Sequence, residues 1–381
     1  MKKILIAFTI LCAQTLNAQT YDEQMNKAGE ALQKKDFCNA LTIFQTAFKD
    51  SAKIGTYDLA FAAVAAANCN NEKQALNWLK ISQLKGLGIN PGEADGVAND
   101  PSFEKLRGFK EWTEFVNAMK QAVVDKQLME KKKAEDWLKT LNANQISIKK
   151  KKKFNKANSG FALYYTQVDT LKVPYLVCVP KNYDAKKPTK TIVYLHGGIV
   201  NSERFNFENP ELATGEPIFS IGENFNAIVI YPVGKKDFGW VNQKAAFENV
   251  LTVIKTVQQA YNIDNKNIVL GGMSNGGTAT FWFAAQKANI FKGFYTFSAL
   301  PKLNIGDIDF ANLAQGKQIY SLQTKDDDVY KFEDVNAIYS AQKAVAKDWQ
   351  MAVLDNGGHG FIYQQNGKEL MNSVFKKLFT Q

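Results

Sequence analysis

Ser274 stands between Gly272 and Gly276, and the chain holds only two histidines that could serve it, His196 and His359. A serine hydroxyl becomes a competent nucleophile when an imidazole takes its proton and a carboxylate orients that imidazole. The chemistry within reach is therefore acyl transfer through a covalent intermediate. Residues 267–277 read as a short apolar strand, a glycine-flanked serine and a small-residue helix start. Such a strand-to-helix turn leaves one hydroxyl exposed at its tip, with glycines where a side chain would collide. His359 lies downstream in Gly358-His359-Gly360 and is read as the general base, its flanking glycines letting the ring reach across a crevice. His196 is the rival base, but it precedes the serine at a strand end and is read instead as bracing the loop it opens.

Acyl transfer also needs two donors aimed at the oxygen that becomes negative in the tetrahedral intermediate. The backbone N–H groups of Gly198, in Leu195-His196-Gly197-Gly198, and of Asn275 are the candidates. The acid should follow the apolar run 319–323, where Asp326, Asp327 and Asp328 are adjacent. Asp326 is nearest the strand end and ranks first; Asp327 is second. A calcium loop would need oxygen ligands at alternate positions and a later glutamate in a twelve-residue loop, which this run does not offer. No metal ligand set and no cofactor motif is read. Trp240, after Gly239, is read as core rather than pocket wall.

These residues need a scaffold, and 161–381 has the texture of one. The runs 161–170 and 171–180 read as an antiparallel strand pair. Short apolar strands follow at 190–196, 227–231, 268–270, 293–297, 319–323 and 352–354, with helical patterns at 243–261, 278–287 and 335–347. That alternation predicts an α/β architecture, a mostly parallel sheet with helices on both faces. The substrate pocket is expected to be shaped by the loops 199–221 and 299–314.

The first half differs. Lys2 and Lys3 precede an apolar run ending near Ala18, the pattern of a secretory signal peptide over 1–18, too short for a spanning helix. Export to the periplasm or medium is expected, with cleavage after Ala18 and no transmembrane segment thereafter. Export permits a disulfide, and Cys38 with Cys69 is the expected pair; Cys178 reads as a small buried hydrophobe. Residues 19–120 read as a helical domain in which 40–47 and 75–80 repeat a theme 35 residues apart. The net charge is +10. Between 121 and 156, eleven lysines stand against four acids, so most of the excess lies in one basic helix and linker. That distribution does not describe a nucleic-acid-binding surface. The segment reads as a solvated connector, with weak contact of 126–156 with an anionic surface as the alternative.

The order Ser274, acid, His359 is that of α/β-hydrolases. Residues 157–381 resemble that superfamily, and within it the secreted esterase branch of feruloyl esterases and polyhydroxybutyrate depolymerases. The resemblance rests on Val173-Pro174-Tyr175, Val179-Pro180-Lys181-Asn182-Tyr183-Asp184, Leu195-His196-Gly197-Gly198, Tyr261-Asn262-Ile263-Asp264, Gly272-Met273-Ser274-Asn275-Gly276-Gly277 and Gly358-His359-Gly360-Phe361. It implies Ser274 as nucleophile, His359 as base, an aspartate of 326–328 as orienting acid, and Gly198 with Asn275 as oxyanion donors. Tyr330 stands where that branch often has proline. The helical part resembles the tetratricopeptide family: Ala40, Phe44 and Ala47 fall on second-helix positions, and Ala63, Ala66 and Ala75 on packing positions.

The expectation is thus an exported serine esterase acting on a small-molecule or polymer-linked ester. The rivals are a peptidase of the prolyl oligopeptidase type, an acyltransferase, and a non-catalytic repeat-containing scaffold.

Overall fold

A computed structural model describes residues 20–49, 51–147, 154 and 157–380. The signal-peptide reading and the lysine run 149–153 lie outside the described residues. Two compact units divide between Lys132 and Lys133.

The first unit is helical: α1 (Tyr21–Gln33), α2 (Phe37–Ala47), α3 (Thr56–Asn68), α4 (Glu72–Leu84), α5 (Glu93–Asn99) and the start of α6 (Lys110–Ala143). Thr20 and Glu23 cap α1 reciprocally, and Asn71 caps α4. The turns after α1 and α3 each carry one left-handed residue, Lys35 (φ 58°) and Asn70 (φ 55°), 35 positions apart like the sequence theme. Ala40 and Phe44 are buried in the unit's core with Ala63, Ala66 and Ala75, and Ala47 is buried too. Alanines along α3 leave room for its neighbours to approach closely. Cys38 and Cys69 form a disulfide with 5.0 Å between Cα atoms.

The boundary expected at 120 falls inside α6. No glycine or proline interrupts 110–143, and its Lys, Glu, Gln, Leu and Ala are good helix formers. Trp112, Phe115 and Met119 belong to the first unit's core. Leu141 is buried with the second unit, and Trp137 Nε1 donates to Phe207 O at 3.1 Å. Of the basic helix and linker expected over 121–156, residues 121–143 are the later part of α6.

The second unit is built on eight strands: β1 (Gly160–Val168), β2 (Leu171–Val179), β3 (Thr189–Leu195), β4 (Ile228–Pro232), β5 (Ile263–Met273), β6 (Gly293–Phe297), β7 (Gln318–Thr324) and β8 (Trp349–Leu354). The helices are α7 (Pro210–Gly215), α8 (Pro217–Asn224), α9 (Lys244–Ala260), α10 (Asn275–Gln286), α11 (Phe332–Gln342) and α12 (Gly367–Thr380). The strands lie in the order β1-β2-β4-β3-β5-β6-β7-β8. β2 runs antiparallel to β1 and β4, and all remaining pairs are parallel.

The central strands are apolar on both faces, as a sheet covered on both sides requires. Val193, Leu195, Ile230, Leu270 and Phe294 face one way, packing with Val250, Val253 and Ile254 of α9 and Phe281 and Phe283 of α10. Tyr194, Val229, Val269 and Tyr295 face the other way, with Ile218 and Ile221 of α8 and Phe375 and Leu378 of α12. This is the α/β-hydrolase fold, and the helical region precedes it. Cys178 in β2 is a free thiol that burial pushes up to about 12, an inert packing group.

Candidate active site

β5 ends at Met273 and α10 begins at Asn275, so a single residue turns the chain between them. That residue is Ser274, held at φ 53°, ψ −122°. A non-glycine residue there stores strain, and the surroundings must impose it. They do so through close backbone approach: a Cβ on Gly272 or on Gly276 would run into the carbonyl oxygen of Leu195 at the end of β3. Ser274 N–H donates to Phe297 O at 2.9 Å, and Ser274 O accepts from Thr278 N–H at 2.9 Å. The backbone is thereby fixed while the hydroxyl, without a hydrogen-bond partner among the described residues, opens onto a cavity of about 780 Å³.

His359 opens onto the same cavity. It follows a tight loop with Gly357 at φ 130° and Gly358 at φ 60°. Its Nδ1 lies 3.0 Å from both carboxylate oxygens of Asp327. The ring of Tyr330 meets the imidazole edge-on at 5.4 Å between centroids, and Tyr330 Oη accepts from Asn275 Nδ2 at 2.9 Å.

Asp327 is buried and fully occupied as an acceptor. Besides the imidazole it takes Val329 N–H at 2.9 Å, Tyr330 N–H at 2.8 Å and Gln323 Nε2 at 3.0 Å. Burial alone would raise its pKa. The bonds from His359, Tyr330 and Val329 outweigh that, and the carboxyl is held below the usual aspartate range. It stays an anion, able to stabilise a charged imidazole.

The ranking of Asp326 over Asp327 does not survive this geometry. Asp326 accepts instead from Gly357 N–H at 3.0 Å and Gly358 N–H at 2.8 Å. The physical reason is local. β7 ends at Thr324, and the turn after it exposes Lys325 and Asp326 while folding Asp327 inward under Gln323. Nearness to the strand end is a poor guide when a turn intervenes. Asp328 is exposed. Asp326 pins the histidine loop, together with Thr324 Oγ1 to Gly358 O at 3.0 Å and Gln364 Nε2 to Gly357 O at 2.8 Å.

Gly198 (φ 73°) and Asn275 both line the cavity, and neither backbone N–H has an acceptor among the described residues. Asn275 N–H is also the first of α10, an end that favours negative charge. A Cβ on Gly197 would come within 2.9 Å of Ser274 Cβ, so only glycine lets this loop sit against Ser274.

His196 is placed as a brace. Its Nδ1 lies 2.7 Å from Gly197 O, and its Nε2 accepts from Gly234 N–H at 3.0 Å. The imidazole stacks on Tyr231 and meets Trp240 edge-on, while Trp240 Nε1 donates to His196 O. Trp240 is thus both core and cavity wall. Burial lowers the His196 pKa to about 4, more than its bond to Gly197 raises it. Because the folded value lies below the ordinary value of 6.5, the unfolded chain takes up the proton first as pH falls. This ring's share of stability is whole above about pH 6.5 and is lost towards pH 4, by about 3 kcal/mol. Urea unfolding at stepped pH should show that loss, and His196→Gln should flatten it.

Residues 238–300, which run from the loop before α9 through the serine turn to just past β6, match the family model described as the prolyl oligopeptidase family. No curated protein matches the sequence. Among solved structures, a thermostable esterase aligns at 17% identity over 58% of this chain and 63% of its own length, TM-score 0.45. The Pyrococcus horikoshii acylaminoacyl peptidase aligns at 16% over 58% and 42%, TM-score 0.43. A ferulic acid esterase aligns at 16% over 58% and 98%, TM-score 0.45. The second unit has the α/β-hydrolase fold.

The loops 199–221 and 299–314 line the cavity beside Ser274, through Val200, Asn201 and Glu216 and through Leu300, Lys302 and Asn304. Glu216, Tyr330 and Tyr363 are cavity residues that sequence reasoning gave no role. Tyr330 carried a faint signal, as a departure from the esterase pattern; Glu216 and Tyr363 carried none.

Proposed function

We propose that this protein is an exported carboxylic ester hydrolase working through Ser274, His359 and Asp327. The observation that carries the reading is His359 Nδ1 against the anionic Asp327, with the ring and the strained Ser274 facing one cavity. Ser274 Oγ attacks the ester carbonyl carbon while His359 Nε2 takes its proton. Asp327 holds the Nδ1–H tautomer and stabilises the imidazolium. The tetrahedral oxyanion is held by the N–H groups of Gly198 and Asn275. Collapse breaks the bond to the alcohol oxygen, which receives the proton from His359, and leaves Ser274 acylated. Water, deprotonated by the same histidine, then releases the acid. No step calls for a metal or organic cofactor. Export rests on the leader read over 1–18, and the 19–120 region is read as tetratricopeptide-like. Among the described residues no helix is long and apolar enough to cross a membrane.

The match of 238–300 to the prolyl oligopeptidase family favours one second reading, a peptidase with the same machinery. The two separate in one assay. Wild type is expected to turn over p-nitrophenyl acetate and butyrate and to leave peptidyl p-nitroanilides, Gly-Pro included, intact. Turnover of the anilides with kcat/KM equal to or above that of the esters would replace the ester reading by the peptidase one.

A further inference from the structure

Glu216 has no task in the scheme above, yet it stands in the cavity wall. It is 8% exposed and borders both the main cavity and an adjoining recess of about 200 Å³ behind Gly197 and Gly198. Tyr231 Oη donates to its Oε1 and Tyr363 Oη to its Oε2, each at 3.2 Å. Among the described residues no Lys, Arg or His lies within ion-pair distance of it. A carboxylate offers about four acceptor positions, and a third hydroxyl, that of Tyr194, also bears on it, so not all of those positions are taken. Burying such a group without a cation is costly. Burial accordingly pushes its pKa up to about 7, against the bonds from the tyrosines.

The partner that suits these leftover positions is a group able both to donate and to accept, because near neutral pH the acid is present in both forms. A hydroxyl does both; an ammonium serves only the anion. The remaining polar wall points the same way, since Asn201, Asn304 and Thr278 are neutral and the single lysine there, Lys302, would repel a cation. We propose that Glu216 is a specificity-determining residue that hydrogen-bonds a substrate hydroxyl, so that the enzyme selects esters bearing a hydroxyl beside the scissile bond. This rests on the ester reading and deepens it.

The test is the ratio of kcat/KM within one protein. Wild type, Glu216→Met and Glu216→Gln are assayed on ethyl butyrate, glyceryl monobutyrate, ethyl 3-hydroxybutyrate and butyrylcholine, with p-nitrophenyl butyrate as reference. Wild type is expected to favour at least one hydroxylated ester over ethyl butyrate by about tenfold, the worth of a hydrogen bond to a charged group. In Glu216→Met that ratio should fall to about one. Glu216→Gln keeps the shape and loses the charge, and should lower it about threefold if the methionine variant does not fold. A wild-type ratio near one for both hydroxylated esters overturns the proposal, as does a ratio unchanged in the variants. So does butyrylcholine being the ester whose advantage disappears. Failure of wild type on every ester, the p-nitrophenyl one included, would instead remove the ester reading itself.

Discussion

Ser274→Ala is expected to lower ester turnover by about four to six orders of magnitude and to abolish labelling by a fluorophosphonate probe. The size follows from losing the atom that forms the covalent bond, while the oxyanion donors and the cavity remain to give residual catalysis. Misfolding is not expected to explain the loss. The strain at φ 53° belongs to the backbone, and alanine carries the same Cβ as serine, so the close approach of Gly272 and Gly276 to Leu195 is untouched. The variant should melt close to wild type. Retained labelling in Ser274→Ala would place the nucleophile elsewhere and undo the reading of the cavity.

The second large effect separates two adjacent carboxylates. Asp327→Asn should lower kcat by about 10³–10⁴, because a neutral amide neither compensates the imidazolium nor enforces the Nδ1–H tautomer. Asp326→Asn should cost about tenfold or less. There the carboxylate holds Gly357 and Gly358 N–H, and an asparagine oxygen can still accept from one of them. Steady-state kinetics on one chromogenic ester decide the matter. Equal losses in the two variants would mean that rigidity of the histidine loop, and not charge beside the ring, is what Asp327 supplies.

Much of this site was legible beforehand, and the reason is steric. A serine between glycines after an apolar run admits few conformations, and the strand-to-helix turn at 273–275 is the one adopted. With only two histidines to choose from, and one of them at a strand end, His359 was the economical base. The strands were legible because each central one is buried on both faces and so reads as an unbroken apolar run. Their positions agree to within a residue or two at β3, β4, β6 and β7. The acid was not legible, since Asp326, Asp327 and Asp328 are chemically identical and differ only in the direction each leaves one turn.

By itself, then, the sequence set out the groups on which the proposed chemistry rests, because a glycine-flanked serine, a loop histidine and their glycine spacing are local properties of short segments. It also determined the sheet, through the periodicity of its apolar runs. Tertiary structure alone decided which carboxylate meets His359, that α6 crosses from 110 to 143 without a break, and that Glu216, Tyr231 and Tyr363 share one wall. Those outcomes depend on contacts between residues up to 147 positions apart, and on a turn whose path is set by what Asp327 can bury, information that no local pattern carries.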